Sequence, residues 1–228
     1  MKLFVFAFLL SGMNIFAGPQ ALNELIYEIR NPETNSASFR QALEKIGENL
    51  ALEVLEKLDT KETAIQTLTG AEAKHFLVNE VPVLVTILRA GLPLNAGVQK
   101  VFPNAEVGFL AMSRNEETLK ADVDYVALPD LRGRSVIISD TMLATGGSLL
   151  DAIQIVEQKS PRRIFVIAAI ASKTGIERIS RYNPAIQIFA AVVDPSLNDR
   201  GYIIPGLGDA GDRSYGIKHS SVKKTHSK

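Results

Sequence analysis

Between residues 81 and 192 the chain repeats one texture: a short apolar run, a glycine-bearing turn, then apolar residues at helical spacing. Residues 83–88, 106–112, 136–138, 163–169 and 186–192 read as strands, and residues 92–100, 146–158 and 175–181 as helices. A strand that is apolar throughout has no wet face, so it belongs in a sheet covered on both sides. Helices between successive strands supply that cover and make the connections parallel. The expected fold is α/β: a mostly parallel twisted sheet with helices on both faces, its ligands at the carboxyl ends of the strands.

Two helical stretches precede this region. Leu22, Leu25, Ile26 and Ile29 repeat at helical spacing up to Asn31-Pro32. Phe39, Leu43, Ile46, Leu50, Val54 and Leu58 form a second stripe, which Ser38 is placed to cap. Both are read as core packing without chemistry. Residues 60–80 are polar and weakly periodic, a turn-rich linker or a hairpin. Residues 1–19 hold a short apolar run after Lys2, with a small residue at Ala17. It resembles a weak signal peptide, is too short to span a membrane, and disappears if translation starts at Met13. Residues 20–218 are expected to form one domain, and the basic tail, residues 219–228, to be disordered.

Composition removes several functions. The 25 basic and 25 acidic residues cancel, so there is no global field for nucleic acid, and an anionic ligand must be held locally. The absence of cysteine excludes thiolate catalysis, disulfides and cysteine-ligated metal. His75, His219 and His226 are scattered, which argues against a histidine metal site.

The most informative segment follows the strand at residues 136–138. Ser139 and Asp140 lead into Thr141, Met142, Leu143, Ala144, Thr145, Gly146, Gly147 and Ser148, and an apolar helical pattern begins at Leu149. Glycines at a helix start let backbone amides approach an anion. The helix dipole favours phosphate there, and Thr145 and Ser148 add hydroxyl donors. Asp140, at the strand's end, is placed to accept hydrogen bonds from sugar hydroxyls. The lysine of a Walker loop is missing, and so is the G-x-G-x-x-G of a dinucleotide site. Taken alone, the segment predicts a sugar-phosphate ligand.

Residues 140–148 resemble the loop with which type I phosphoribosyltransferases, in the form found in the uracil phosphoribosyltransferase family, bind 5-phosphoribosyl 1-diphosphate (PRPP). Residues 87–92, 114–119 and 201–213 agree with that family in order and spacing, and the resemblance runs from about residue 81 to residue 216. It implies a glycosyltransferase that joins uracil to PRPP, giving UMP and pyrophosphate in pyrimidine salvage. Arg89 becomes a pyrophosphate ligand, Arg114 a PRPP contact on a mobile arm reaching about Ala127, and residues 140–148 the phosphoribosyl loop. Ile203, Gly208, Asp209 and Ala210 would hold uracil through backbone groups. Asp209 would also engage PRPP, through Mg²⁺ or water, and it is the nearest candidate base. The catalytic set is thus Asp140, Arg114 and Asp209.

The resemblance further implies Mg²⁺ carried with PRPP and no protein metal ligand assigned, a homo-oligomer (dimer or tetramer), GTP as a candidate activator and a cytoplasmic site of action. Export is the alternative if residues 1–17 are a signal. Neither nucleic acid nor membrane is an expected partner. Three departures stand out. Thr141 replaces a usual proline, which should leave the loop formed but less rigid. Ser113 replaces a usual aromatic, and the usual His-Pro-Leu has no counterpart near residues 18–22. Two rival functions use the same fold: transfer to a different base, and a PRPP- or UMP-sensing regulator that binds RNA.

Overall fold

The computed structural model describes residues 20–114 and 121–218. The apolar N-terminal run and the basic tail therefore lie outside the described residues, as does the tip of the arm. Helices α1 (Gln20–Arg30) and α2 (Ser36–Leu55) come first, then a hairpin of β1 (Thr60–Gln66) and β2 (Glu72–Val78). The alternating region follows: β3 (Val83–Leu88), α3 (Gly91–Val101), β4 (Val107–Arg114), β5 (Ala121–Ala127), β6 (Ser135–Leu143), α4 (Gly147–Glu157), β7 (Arg163–Ser172), α5 (Lys173–Tyr182) and β8 (Gln187–Asp194). Two short strands, β9 (Ser196–Leu197) and β10 (Ile203–Ile204), and helix α6 (Ala210–Tyr215) close the chain.

The main sheet has the order β5-β4-β3-β6-β7-β8. Every pair is parallel except β4 with β5. Each face carries its own core. Phe39, Leu43, Ile46, Leu50 and Val54 of α2 and Leu94 and Val98 of α3 pack on Leu84, Ile137, Phe165 and Ile167. On the opposite face Leu149, Ile153 and Val156 of α4 and Ile179 of α5 pack on Val83, Val85, Val136 and Ile138. Successive strand residues point to opposite faces, so an unbroken apolar strand serves both cores. The expected two-sided, mostly parallel sheet is what forms.

Several local expectations are refined. The polar stretch 60–80 is the β1–β2 hairpin, paired in register from Thr60↔Val78 to Gln66↔Glu72. The cap of α2 is Asn35 rather than Ser38: its side chain accepts from the N–H groups of Ala37 and Ser38, and Ser38 falls inside the first turn. Strand β5 had no apolar signature, because it is an edge strand with exposed Val123, Tyr125 and Val126. It pairs with β4 up to Arg114↔Ala121, so the arm is an extended hairpin.

Helices α2 and α3 approach closely at two glycines. A Cβ on Gly97 would sit 1.8 Å from the Glu44 carbonyl oxygen, and one on Gly47 would sit 2.0 Å from that of Leu94. Two backbones can touch in this way only where neither carries a side chain.

Candidate active site

Strand order decides where a ligand can lie. The chain leaves β3 toward β4 and β5 on one side, then returns to lay β6 on the other. The pairing of β3 with β6 ends at Thr86↔Ser139, while β6 continues along β7 through Leu143↔Ala171. Beyond Ser139 β3 and β6 no longer pair, and this is the switch point where parallel sheets bind ligands. Arg89 follows the end of β3, Arg114 ends β4, and Asp140 lies one residue past the last β3–β6 pair. The candidates separated along the chain thus converge on one edge of the sheet.

Asp140 is the electrostatic centre. The residue keeps partial solvent exposure, yet its carboxyl is crowded by protein. Desolvation pushes its pKa up to about 6, against the backbone N–H groups of Met142 and Thr141, which favour the carboxylate. It lies inside β6 rather than at its end, paired with Ala168. Thr141, Met142 and Leu143 are likewise strand residues, not loop. The side chains of Thr141 and Leu143 are buried, so these two residues can offer a ligand only backbone groups.

The turn itself is short. Gly146 takes φ 76°, the left-handed region that glycine enters without strain, and no side chain caps helix α4 behind it. Within the first turn Gly147 N–H makes a long bond of 3.4 Å to Thr145 Oγ1, and the amides of Ser148 and Leu149 are the donors that a phosphate would take. The loop is held from behind by α5: Ser172 Oγ donates to the Ala144 carbonyl at 2.6 Å and accepts from Gly175 N–H at 2.9 Å.

Direct bonds link the three candidate loops. Thr141 Oγ1 donates to the Ala90 carbonyl at 2.6 Å, joining the phosphate loop to the turn after β3. The Leu88–Arg89 peptide within that turn is cis. Arg89 Nη2 donates to Asp212 Oδ1 at 2.9 Å. Asp209 caps α6, its Oδ1 accepting from Asp212 N–H at 2.9 Å. Arg89 is thus paired to an acid, and that acid belongs to the segment assigned to the base.

Ile203 and Ala210 are buried in the core, so base recognition here can use only their backbone. Arg114 is described by its backbone, paired with Ala121, and the arm tip, residues 115–120, lies outside the described residues. Arg30 and Asp194, which both bond to the backbone of Gly206, were missed in the sequence. Nothing local marked them, since their partners are distant in the chain. Two surface hollows lie at the opposite end of the sheet, lined by residues such as Asp130, Arg132 and Lys159, and by Arg162, Arg163 and Asn183. Neither includes a candidate residue. Among the described residues, no three His, Asp or Glu side chains cluster to hold a metal, and no helix is long and apolar enough to cross a membrane.

The fold is α/β with a mostly parallel sheet, and the candidate residues gather at its topological switch point. A model of the family described as uracil phosphoribosyltransferase matches residues 18–217, and the chain belongs to that family. It is 43% identical over 188 residues to a uracil phosphoribosyltransferase of Aquifex aeolicus, covering 82% of this chain and 90% of the relative. It is 40% identical over 210 residues to one of Clostridium botulinum, covering 92% and 100%. The solved structure of the AQ2163 protein from Aquifex aeolicus superposes with a TM-score of 0.82 at 39% identity, covering 89% of this chain and 97% of that one.

Proposed function

We infer that the chain transfers the 5-phosphoribosyl group of PRPP to uracil, releasing UMP and pyrophosphate. Family membership supports the activity. The observation that carries the site is the joining of three loops by direct hydrogen bonds: Asp140–Ser148 through Thr141 to Ala90, and Arg89 through Asp212 to Asp209. A two-substrate displacement at C1 of ribose needs such an arrangement, because rate comes from holding base and sugar in line.

In this reading the first-turn amides of α4 hold the 5-phosphate and the Asp140 carboxylate accepts from the ribose hydroxyls. Asp140 also places negative charge near C1 as the bond to pyrophosphate lengthens and the sugar gains cationic character. Arg89 and Arg114 balance the departing pyrophosphate. The base nitrogen attacks from the opposite face, so no covalent enzyme intermediate is required. The arm excludes water that would otherwise hydrolyse PRPP. With no three metal-ligating side chains clustered among the described residues, a Mg²⁺ ion would be held mainly by substrate oxygens, and Asp209 would be the base loop's carboxylate toward it. When bound, the ion adds charge neutralisation at the pyrophosphate.

A cytoplasmic site of action follows from where PRPP is made and used. A homo-oligomer is supported by the hairpin, on which Ile65, Leu68, Phe76 and Leu77 are exposed. Activation by GTP rests on the family resemblance. The reading is tested by incubating the protein with PRPP, Mg²⁺ and each nucleobase in turn. UMP from uracil is expected, and product from another base with none from uracil overturns it.

A further inference from the structure

We propose that Arg30 and Asp194 form a positioning pair for base recognition, an ion pair that fixes the backbone of the base loop and sets the affinity for uracil separately from that for PRPP. The proposal rests on reading residues 203–210 as the uracil loop. Arg30 ends α1 and Asp194 ends β8. Their fork is bidentate: Arg30 Nη1 donates to Asp194 Oδ2 at 3.0 Å, and Nη2 donates to Oδ1 at 2.6 Å. Both partners then turn to one residue of the loop. Arg30 Nη1 donates to the Gly206 carbonyl at 2.9 Å, and Gly206 N–H donates to Asp194 Oδ2 at 2.9 Å. The pair thereby occupies both backbone polar groups of Gly206.

Leu207 is fixed from the other side. Arg213 Nη1 donates to the Leu207 carbonyl at 2.9 Å and to that of Ile29, and Nη2 donates to the Asn31 carbonyl at 2.6 Å. The Arg213 guanidinium also lies 4.3 Å from the centre of the Phe39 ring. The backbone of two successive residues, Gly206 and Leu207, is thus clamped immediately before Gly208, Asp209 and Ala210. Helix α1, read from its sequence as packing alone, supplies one arginine of the clamp and the carbonyls at its end.

A ligand read by backbone groups depends on where the loop is held, since no side-chain rotamer can compensate for a displaced peptide. Asp194 is only 3% exposed, so removing its partner leaves a charge shielded from water. None of the bonds of this pair reaches Arg89, Asp140 or the phosphate loop. The backbone it holds is that of the base loop, so breaking it should act on uracil more than on PRPP, which that loop meets only through Asp209 and Asp212.

Steady-state kinetics with uracil and PRPP varied separately test this in the full-length chain. Arg30→Met is expected to raise KM for uracil about tenfold and KM for PRPP less than about twofold, the loss of one charge-assisted bond to the loop. Arg30→Lys, which keeps the charge but not the fork, should recover part of the loss. Asp194→Asn keeps the volume and must show the same one-sided change, so the test survives if Arg30→Met folds poorly. Equal changes in both KM values overturn the proposal, and so does a fall in melting temperature with neither KM altered. Wild-type protein that makes no UMP would instead overturn the functional reading, which separates the two failures.

Discussion

Burial pushes the Asp140 carboxyl up to about 6 although two backbone amides hold it back. A group that titrates higher in the folded chain than in the unfolded one binds its proton more tightly when folded. It costs stability progressively as pH rises from about 3.8, reaching at most about 3 kcal/mol above about 6. Function has the opposite need, because only the carboxylate accepts from two ribose hydroxyls. Activity at subsaturating PRPP should therefore fall as pH drops through about 6, read from a kcat/KM profile. Asp140→Asn at pH 8 should lose at least about 100-fold in UMP formation while melting no lower than wild type. Thr141 gives a second test. Thr141→Val leaves the Ala90 carbonyl without its buried donor, at a cost of about 1–3 kcal/mol, whereas Thr141→Ser keeps it. Valine should raise KM for PRPP and lower Tm, and serine should restore both. Asp140 and the cradle were legible in the sequence because strand, acid, glycines and helix are contiguous. The bond from Thr141 to Ala90 was not, since it spans 51 residues and needs β3 beside β6. Sequence reading took the departure at Thr141 as a loss of rigidity; the fold gives its hydroxyl a partner.

At the scale of elements, the crossing of α2 over α3 shows how glycine placement fixes a whole face of the core. Gly97→Ala would put a methyl group against the Glu44 backbone and force the helices apart, with an expected loss of about 2–3 kcal/mol in denaturant unfolding. The helices themselves were legible from their apolar stripes. Their closeness was not, because a glycine in a helical pattern looks the same in sequence whether it faces solvent or another backbone. Edge strand β5 and the two-residue strands β9 and β10 escaped notice for a related reason: exposed or very short strands carry no apolar run to read. Sequence periodicity reports burial, and these elements are strands through their hydrogen-bond partners alone.

For the molecule as a whole, a ligand that binds only the folded chain stabilises it by mass action. PRPP at about 100 times its Kd should add about 2.7 kcal/mol, hence roughly 5–10 °C in Tm for a domain of this size, and Arg89→Ala should remove most of that shift. The sequence by itself determined the two-sided parallel sheet, because apolar strands alternating with helices have no other way to bury both faces. It also marked the candidate phosphate cradle, because every group such a cradle needs lies within one strand, turn and helix. Only the tertiary structure decided which loops meet. The order β4-β3-β6 sets the switch point and brings Arg89 against Asp212, and it is the docking of α1 beside β8 that sets Arg30 on Asp194, 164 residues away. Such contacts depend on how elements pack in space, and the local pattern of residues does not encode a partner that the chain reaches only after the sheet has formed.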